Sequence, residues 1–213
     1  MSVRTGVASV VRSDRGAVWT ASSPAPEPSP AAPAGGMAAE EERIAGAALA
    51  ELPEGGVVVL DAGTVTECLA ARLPLHHGYT VVTNSVSVAS VLAARTDLTV
   101  HLIGGRLDRR AGAALATSRE LEGLHADVAF VVPAGVSFDR GLTSTDPVQG
   151  RSKRALMDAA RTVVALADHT RVDHDHMSRF ADLHEADCLI TGTELDPDSA
   201  ARLGTRVLRL LRA

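Results

Sequence analysis

Aromatic side chains are almost missing from this sequence: they make up 2 % of its 213 residues, whereas apolar residues make up 46 %. A core of ordinary size is therefore expected, built from aliphatic side chains. No apolar run approaches the roughly 18 residues that indicate a membrane span, so we expect no membrane partner. The two cysteines, Cys68 and Cys188, are too few and too distant for a disulfide framework, which favours reduced, buried thiols in a cytoplasmic protein.

Positive charge is also scarce, since 21 Lys and Arg stand against 26 Asp and Glu and give a net charge of −5. A dedicated nucleic-acid-binding domain usually presents a basic face. Residues 1–19 carry Arg4, Arg12 and Arg15 against Asp14, which supports only weak, salt-sensitive attraction to phosphates. We therefore expect no sequence-specific DNA binding by these 213 residues alone.

The chain changes character near residue 37. Two short apolar runs flank Arg12–Gly16 and predict a small hairpin within residues 1–19. Residues 20–36 are rich in Pro, Ala and Ser and have almost nothing to bury, as in a flexible linker. Residues 37–213 are periodic throughout and are predicted to form one domain.

Short apolar runs alternate with segments of helical spacing in this domain. Strands are predicted at 57–60, 79–83, 98–104, 127–132, 162–167, 187–191 and 206–211, and helices at 38–52, 64–73, 85–95, 117–125, 149–161 and 198–203. Continuous Val, Leu and Ile runs separated by helices are typical of a buried parallel sheet. The prediction is an α/β fold with a mostly parallel sheet and helices on both faces.

Small and polar residues follow the predicted strands, where open α/β sheets bind their ligands. The candidate ligand-binding residues are Asp61, Gly63, Thr64, Thr66, Thr83, Asn84, Gly104, Gly105, Arg106, Lys153, Asp168 and Arg171. Helix N-termini and threonine hydroxyls can hold a phosphate, Arg and Lys add charge, and Asp and Asn can bind sugar hydroxyls. We predict one pocket for a phosphorylated sugar or a similar small anion.

Each feature has a simpler interpretation when it is taken alone. The segment Asp61–Thr66 is compatible with a turn and helix cap, and Gly104–Gly105 with a plain turn. Lys153 beside Arg154 is compatible with a solvated helix face. The His and Asp residues of 168–176 suit a divalent metal, but nothing sets their geometry, so we predict no metal and no cofactor.

Six segments carry a family resemblance. They are LDAGTVTECLA, TVVTNSVSVASVLA, LTVHLIGGRLDRRAGAAL, ADVAFVVPAGVSFDRGLTSTD, SKRALMDAARTVVALADHTR and ADCLIT, in this order. Together they resemble the C-terminal sensor domain of DeoR-family transcriptional regulators over residues 38 to about 205. The resemblance implies a fold related to ribose-5-phosphate isomerase and glucosamine-6-phosphate deaminase. It also implies a repressor whose sensor binds a phosphorylated sugar, forms homo-oligomers and is joined to a winged helix-turn-helix that binds operator DNA.

Upstream of the linker, the sequence departs from this family. VRSDRGAV resembles only the last wing strand of a winged helix-turn-helix, so residues 1–19 are interpreted as a remnant of a wing-like segment. DNA would then be reached through a missing N-terminal module, a longer native chain or a full-length partner. A degenerate subunit that modulates a full-length regulator in mixed oligomers is one alternative function.

The other departures lie in the sensor and bear on catalysis. The family pattern has Glu where Gln149 stands, Lys where Arg171 stands and an acid where Gly192 stands. A sugar-phosphate isomerase or deaminase is the second alternative, and it needs a general base. Gln149 cannot abstract a proton, although Asp61 or Asp146 could serve. We predict a ligand-sensing domain without enzymatic activity.

Overall fold

The computed structural model describes residues 9–13, 16–20, 35–115 and 121–213. The chain divides into two compact units, Met1–Ala32 and Pro33–Ala213. In the first unit, β1 (Ser9–Ser13) and β2 (Gly16–Thr20) pair antiparallel as a hairpin.

A seven-stranded sheet forms the centre of the second unit. Its order is β14-β13-β11-β8-β3-β4-β5, and every neighbouring pair is parallel. The strands are β3 (Val57–Leu60), β4 (Thr80–Thr83), β5 (Thr99–Leu102), β8 (Ala126–Val131), β11 (Ala160–Leu166), β13 (Cys188–Thr191) and β14 (Leu210–Arg212). The predicted parallel sheet is confirmed.

Helices cover both faces of this sheet. They are α1 (Gly35–Ala48), α2 (Thr64–Ala71), α3 (Val86–Leu92), α4 (Pro147–Asp158) and α5 (Pro197–Gly204). On β3, Val58 packs with the apolar side chains of α1, α2 and α3, whereas its neighbour Val59 packs with Leu156 of α4. Successive strand residues point to opposite faces, so these contacts place the two helix layers on opposite sides. None of the helices in the described residues is long and apolar enough to cross a membrane.

Two small antiparallel sheets were not predicted from the sequence. One has the order β12-β10-β9, and the other pairs β6 with β7. Their strands are β6 (Arg106–Asp108), β7 (Ala113–Leu115), β9 (Gly135–Ser137), β10 (Gly141–Ser144) and β12 (Ser178–Ala181). Most of these strands have only three or four residues, which is too short for a periodic signal.

Two further predictions need correction. The last strand was predicted at 206–211 but runs from Leu210 to Arg212, because α5 and the turn after it extend to residue 208. Of the helix predicted at 117–125, residues 116–120 lie outside the described residues and residues 121–123 form a turn.

The connections determine where polar groups gather. Each covering helix runs antiparallel to the strands it connects, so helix N-termini lie at the same edge as the carboxyl ends of the strands. Helix α1 follows this rule because its C-terminal end leads into β3. The residues that follow β3, β4, β11 and β13 therefore share an edge with the beginnings of α1 and α2.

Candidate functional site

A buried ion pair lies at the carboxyl edge of the sheet. Asp61 directly follows β3, and its Oδ2 accepts a hydrogen bond from Lys153 Nζ of α4. The same oxygen accepts the backbone N–H of Val132 at 3.0 Å. Asp61 is 1 % exposed and Lys153 8 % exposed. Lys153 is the only lysine in the sequence, and its ammonium group is buried in this ion pair.

Two buried polar atoms beside this pair have no partner among the described residues. Asn84 Oδ1, after β4, and Ser152 Oγ, on α4, accept and donate no hydrogen bond within residues 35–115 and 121–213, although both residues are almost completely buried. Both residues line one cleft, which is formed by Asp61, Ala62, Asn84, Ala111, Ala113, Leu115, Gln149, Ser152 and Lys153. Because buried polar atoms nearly always have partners, these two atoms indicate that the cleft is built to receive hydrogen-bonding groups.

The β6–β7 hairpin lies over the cleft. Gln149 Nε2 of α4 donates a hydrogen bond to Asp108 Oδ2 of the hairpin at 2.6 Å. This bond from Gln149 is the main reason why the pKa of Asp108 is lowered. Asp108 Oδ1 accepts the backbone N–H groups of Arg110 and Ala111 and so holds the turn of the hairpin. Gln149 therefore fastens the hairpin to α4.

The two acids proposed as alternative bases, Asp61 and Asp146, both make contacts within the protein. Asp146 caps α4, since its Oδ1 accepts the backbone N–H groups of Val148 at 2.7 Å and Gln149 at 3.1 Å. Asp61 is bound to the ammonium group of Lys153. Each carboxylate thus has a structural contact through one of its oxygens, Oδ1 of Asp146 and Oδ2 of Asp61.

A second polar cluster follows β11 and is separate from the residues that line the cleft. Asp168 caps a short 3₁₀ helix, His169–Arg171, and its Oδ2 accepts Arg171 Nε at 2.6 Å. Burial opposes ionisation of Asp168, but hydrogen bonds from Thr170 and the charge of Arg171 outweigh it and lower the pKa of this carboxyl group. Arg171 also donates to the carbonyl of Pro133 at 2.9 Å. Both predicted site residues are thus engaged within the protein.

Helix α1 contributes a carboxylate to this second cluster. Glu40 is 1 % exposed, and it accepts the backbone N–H of His169 at 2.8 Å and contacts His169 Nδ1 at 2.6 Å. A Cβ added to Gly192 would lie 2.0 Å from Glu40 Oε1. Any side chain at position 192, where the family resemblance has an acid, would therefore collide with Glu40 in its present position.

The threonine after β3 also meets an acid of α1. Thr64 Oγ1 donates a hydrogen bond to Glu41 Oε1, and Thr64 is not among the residues that line the cleft. Burial raises the pKa of Glu41, although the bond from Thr64 opposes this shift. Thr64 and Glu41 thus join the beginning of α2 to the second turn of α1.

We expect Glu41→Gln to stabilise the fold at about pH 8 and to have little effect at about pH 4. The folded-state pKa of Glu41 is raised, so the native protein carries an unfavourable buried charge above that pKa and loses it as Glu41 takes up a proton. The amide can still accept the Thr64 hydrogen. Thermal unfolding followed by circular dichroism across this pH range measures the difference, and an effect that grows towards acid pH would contradict the assignment.

The remaining predicted residues have structural contacts. Thr66 Oγ1 donates to the carbonyl of Asp61 at 2.6 Å, and Thr83 Oγ1 donates to the carbonyl of Leu60 at 2.6 Å. Neither hydroxyl lines the cleft. One pocket was predicted for Asp61, Thr64, Thr83, Asn84, Gly105 and Lys153. Of these six residues, Asp61, Asn84 and Lys153 line the cleft.

Glycines shape the approach to the cleft. Gly63 begins α2 beside Val132, whose side chain would be 3.0 Å from an added Cβ. Gly105 has a φ of +151°, and a Cβ there would lie 2.6 Å from the carbonyl oxygen of Leu115. Gly104 and Arg106 flank it and are exposed. These residues therefore allow the hairpin to fold back closely rather than contact the cleft directly.

Three residues near the sites were missed as site residues by the sequence analysis. They are Ser152 in the cleft and Glu40 and Glu41 in the second turn of α1. The chain connections would have placed Glu40 and Glu41 at the correct edge, because a helix that leads into a parallel strand begins there. Within residues 35–115 and 121–213, no group of three or more His, Cys, Asp or Glu side chains could hold a metal ion. Cys68 and Cys188 are both free thiols.

Comparison with known proteins identifies the family. A model described as the DeoR C terminal sensor domain matches residues 37–193. The transcriptional repressor GlcR of Bacillus subtilis is 32 % identical over 154 residues, which cover 71 % of this chain and 59 % of GlcR. The transcriptional regulator GlpR of Haloferax volcanii is 35 % identical over 158 residues, which cover 73 % of this chain and 62 % of GlpR.

A third relative is the glycerol-3-phosphate regulon repressor of Escherichia coli, 29 % identical over 154 residues, or 71 % of this chain and 61 % of the repressor. Among solved structures, a probable sor operon regulator from Shigella flexneri gives a TM-score of 0.45 at 12 % identity and covers 82 % of this chain and 84 % of that one. Ribose 5-phosphate isomerase A from Methanocaldococcus jannaschii gives 0.44 at 13 %, over 62 % and 53 %. The chain spans about three fifths of the length of these three curated relatives. It belongs to the DeoR C-terminal sensor domain family.

Proposed function

We propose that this domain senses a phosphorylated sugar or polyol, which binds in the cleft beside the Asp61–Lys153 pair. The observation that carries the proposal is the pair of buried, unpartnered atoms Asn84 Oδ1 and Ser152 Oγ. An unpaired buried polar atom costs about 1–3 kcal/mol. Hydroxyl groups of a sugar or polyol would supply the missing partners, since they both donate and accept hydrogen bonds.

The phosphate of such a ligand has nearby positive groups. In the part of the chain that the structure describes, no side chain caps the N-terminus of α2, so the backbone N–H groups of its first turn can receive an anion. The hairpin adds three exposed arginines, Arg106, Arg109 and Arg110. Lys153 is already paired with Asp61, so it orients the ligand rather than adding net charge. The name of the Escherichia coli repressor, which refers to glycerol 3-phosphate, supports a phosphorylated ligand.

The site is proposed to bind its ligand without converting it. Gln149 occupies the position where the family resemblance has an acid, and an amide cannot serve as a general base. Asp146 and Asp61 are engaged in a helix cap and an ion pair. Incubation with ribose 5-phosphate or glucosamine 6-phosphate, followed by product assay, is expected to show no turnover. Turnover that disappears in Asp61→Asn would establish the isomerase or deaminase alternative.

Binding in the cleft is proposed to control transcription. The relatives are transcriptional regulators that are longer than this chain. DNA contact would come from a helix-turn-helix module beyond the segment that matches the family, or from a full-length partner subunit, within a homo-oligomer or mixed oligomer in the cytoplasm. Residues 20–36 would be the linker of this arrangement, and residues 37–213 its sensor.

Calorimetry is the direct test of the ligand. We expect at least one of glycerol 3-phosphate, ribose 5-phosphate, glucose 6-phosphate and fructose 6-phosphate to bind, and its unphosphorylated counterpart to bind much more weakly. Asn84→Ala should weaken binding about tenfold, because the ligand loses a buried hydrogen-bond partner. Ser90→Ala is the control, since Ser90 lies exposed on α3 and its hydroxyl donates to the carbonyl of Val86 within the same helix.

Two results would reject the proposal. The first is the absence of binding by every compound of the panel to a protein that unfolds cooperatively. The second is binding that is unchanged in Asn84→Ala, because a ligand that ignores Asn84 occupies another site.

A further inference from the structure

The cleft in this structure is narrow. The space between its side chains is about 20 Å³, which is enough for about one water molecule. A sugar phosphate is far larger than this. Ala111, Ala113 and Leu115 of the β6–β7 hairpin form part of the wall, whereas Asp61 after β3 of the central sheet and Lys153 of α4 form another part. The hairpin is therefore the element that has to move when a ligand enters.

Few polar contacts hold the hairpin in place. Two backbone bonds join it to the residues after β4: Ala114 N–H to the carbonyl of Asn84 at 2.8 Å, and Val86 N–H to the carbonyl of Gly112 at 3.1 Å. On the side of α4, within residues 35–115 and 121–213, the hydrogen bond to the hairpin runs from Gln149 to Asp108. This bond involves a charged acceptor and is therefore stronger than a bond between neutral groups.

We propose that the β6–β7 hairpin is the lid of the ligand site and that the hydrogen bond between Gln149 and Asp108 is its latch. The identity of the ligand rests on the proposed function, whereas the latch rests on the contacts of the hairpin alone. The neutral amide at position 149 is essential to this arrangement, because a carboxylate there would face the carboxylate of Asp108 and repel it. Gln149 is thus a positioning residue. Its amide holds the hairpin through Asp108, which a carboxylate at the same position could not do.

Hydrogen exchange measured by mass spectrometry tests the latch without any ligand. Gln149→Glu is expected to speed exchange of the amides in residues 106–115 about tenfold, the effect of losing one hydrogen bond to a charged group. The double variant Gln149→Glu with Asp108→Asn should return exchange to the native rate. In that variant the amide of residue 108 donates to the new carboxylate, while its oxygen can still accept the N–H groups of Arg110 and Ala111.

Arg151→Gln is the matched control. It changes the net charge by the same amount as Gln149→Glu, at an exposed position on the same helix, and should leave exchange in residues 106–115 unchanged. If Gln149→Glu fails to fold, Gln149→Ala removes the donor without adding charge and should still speed exchange in this segment.

The outcomes separate the two proposals. Native exchange rates in Gln149→Glu, or a double variant that exchanges as fast as the single one, would overturn the latch and leave ligand binding to be judged by calorimetry. Fast exchange that the double variant reverses, together with no binding of any sugar phosphate, would support the latch and reject the proposed ligand class.

Discussion

Asp61→Asn is expected to lower the free energy of unfolding by about 3–5 kcal/mol, the usual cost of breaking a buried ion pair by removal of one partner. The substitution leaves the ammonium group of Lys153 inside the protein, where 8 % of the residue is exposed, without a counter-charge. The shape of the side chain is kept, so the loss reports charge rather than packing. Urea unfolding followed by circular dichroism measures it.

A double-mutant cycle identifies the cause. Asp61→Asn combined with Lys153→Met has no buried charge at this position and should regain most of the lost stability. Arg161→Met is the control from an exposed pair, because Arg161 is 77 % exposed and bonds to Asp127, and it should cost less than about 1 kcal/mol. If the losses of the single variants Asp61→Asn and Lys153→Met simply added up in the double variant, the two groups would not interact in solution. A folded double variant also allows calorimetry of a site without its ion pair.

The second large effect is expected for Gly192→Ala, at about 1.5–3 kcal/mol of lost stability. The new methyl group would lie 2.0 Å from Glu40 Oε1, so the carboxylate has to leave its position. It then gives up the backbone N–H and the imidazole of His169, and Glu40 is only 1 % exposed, so no water replaces them without local opening. Chemical unfolding again provides the measurement.

Combining Gly192→Ala with a substitution of Glu40 shows whether the lost stability comes from displacing Glu40 or from any side chain at position 192. In a Glu40→Ala background, Gly192→Ala should add less than about 0.5 kcal/mol, because the buried group it displaces is gone. The other atom near the new methyl group, Glu194 Oε2 at 2.5 Å, belongs to a side chain that is 39 % exposed and can move into solvent. Gly46→Ala is the control: Gly46 lies exposed in α1 with open space around its Cα, and the change should stabilise the protein by roughly 0.5–1 kcal/mol. A full loss of stability in the Glu40→Ala background would refute the contact.

The position of the cleft could be predicted from the sequence, but the contacts of individual side chains could not. The residues after β3 and β4 were expected at one edge because parallel strands end together, and Asp61 and Asn84 do line the cleft. The same rule predicted that Thr83 binds the ligand, yet the hydroxyl of Thr83 donates a hydrogen bond to the carbonyl of Leu60. Whether a threonine turns to a ligand or to the backbone depends on which carbonyl lies within reach, and the sequence does not contain that distance.

The sequence by itself determined the α/β class, the parallel sheet and the family, because these follow from apolar runs of four to seven residues and from local motifs. The tertiary structure decided which charged and polar groups meet. The partners Asp61 and Lys153 are 92 residues apart in the chain, Glu40 and His169 are 129 apart, and Asp108 and Gln149 are 41 apart. Burial patterns repeat locally and can be read along the chain, whereas a hydrogen bond between distant residues requires two groups to lie within about 3 Å, which only the packed sheet and its helices bring about.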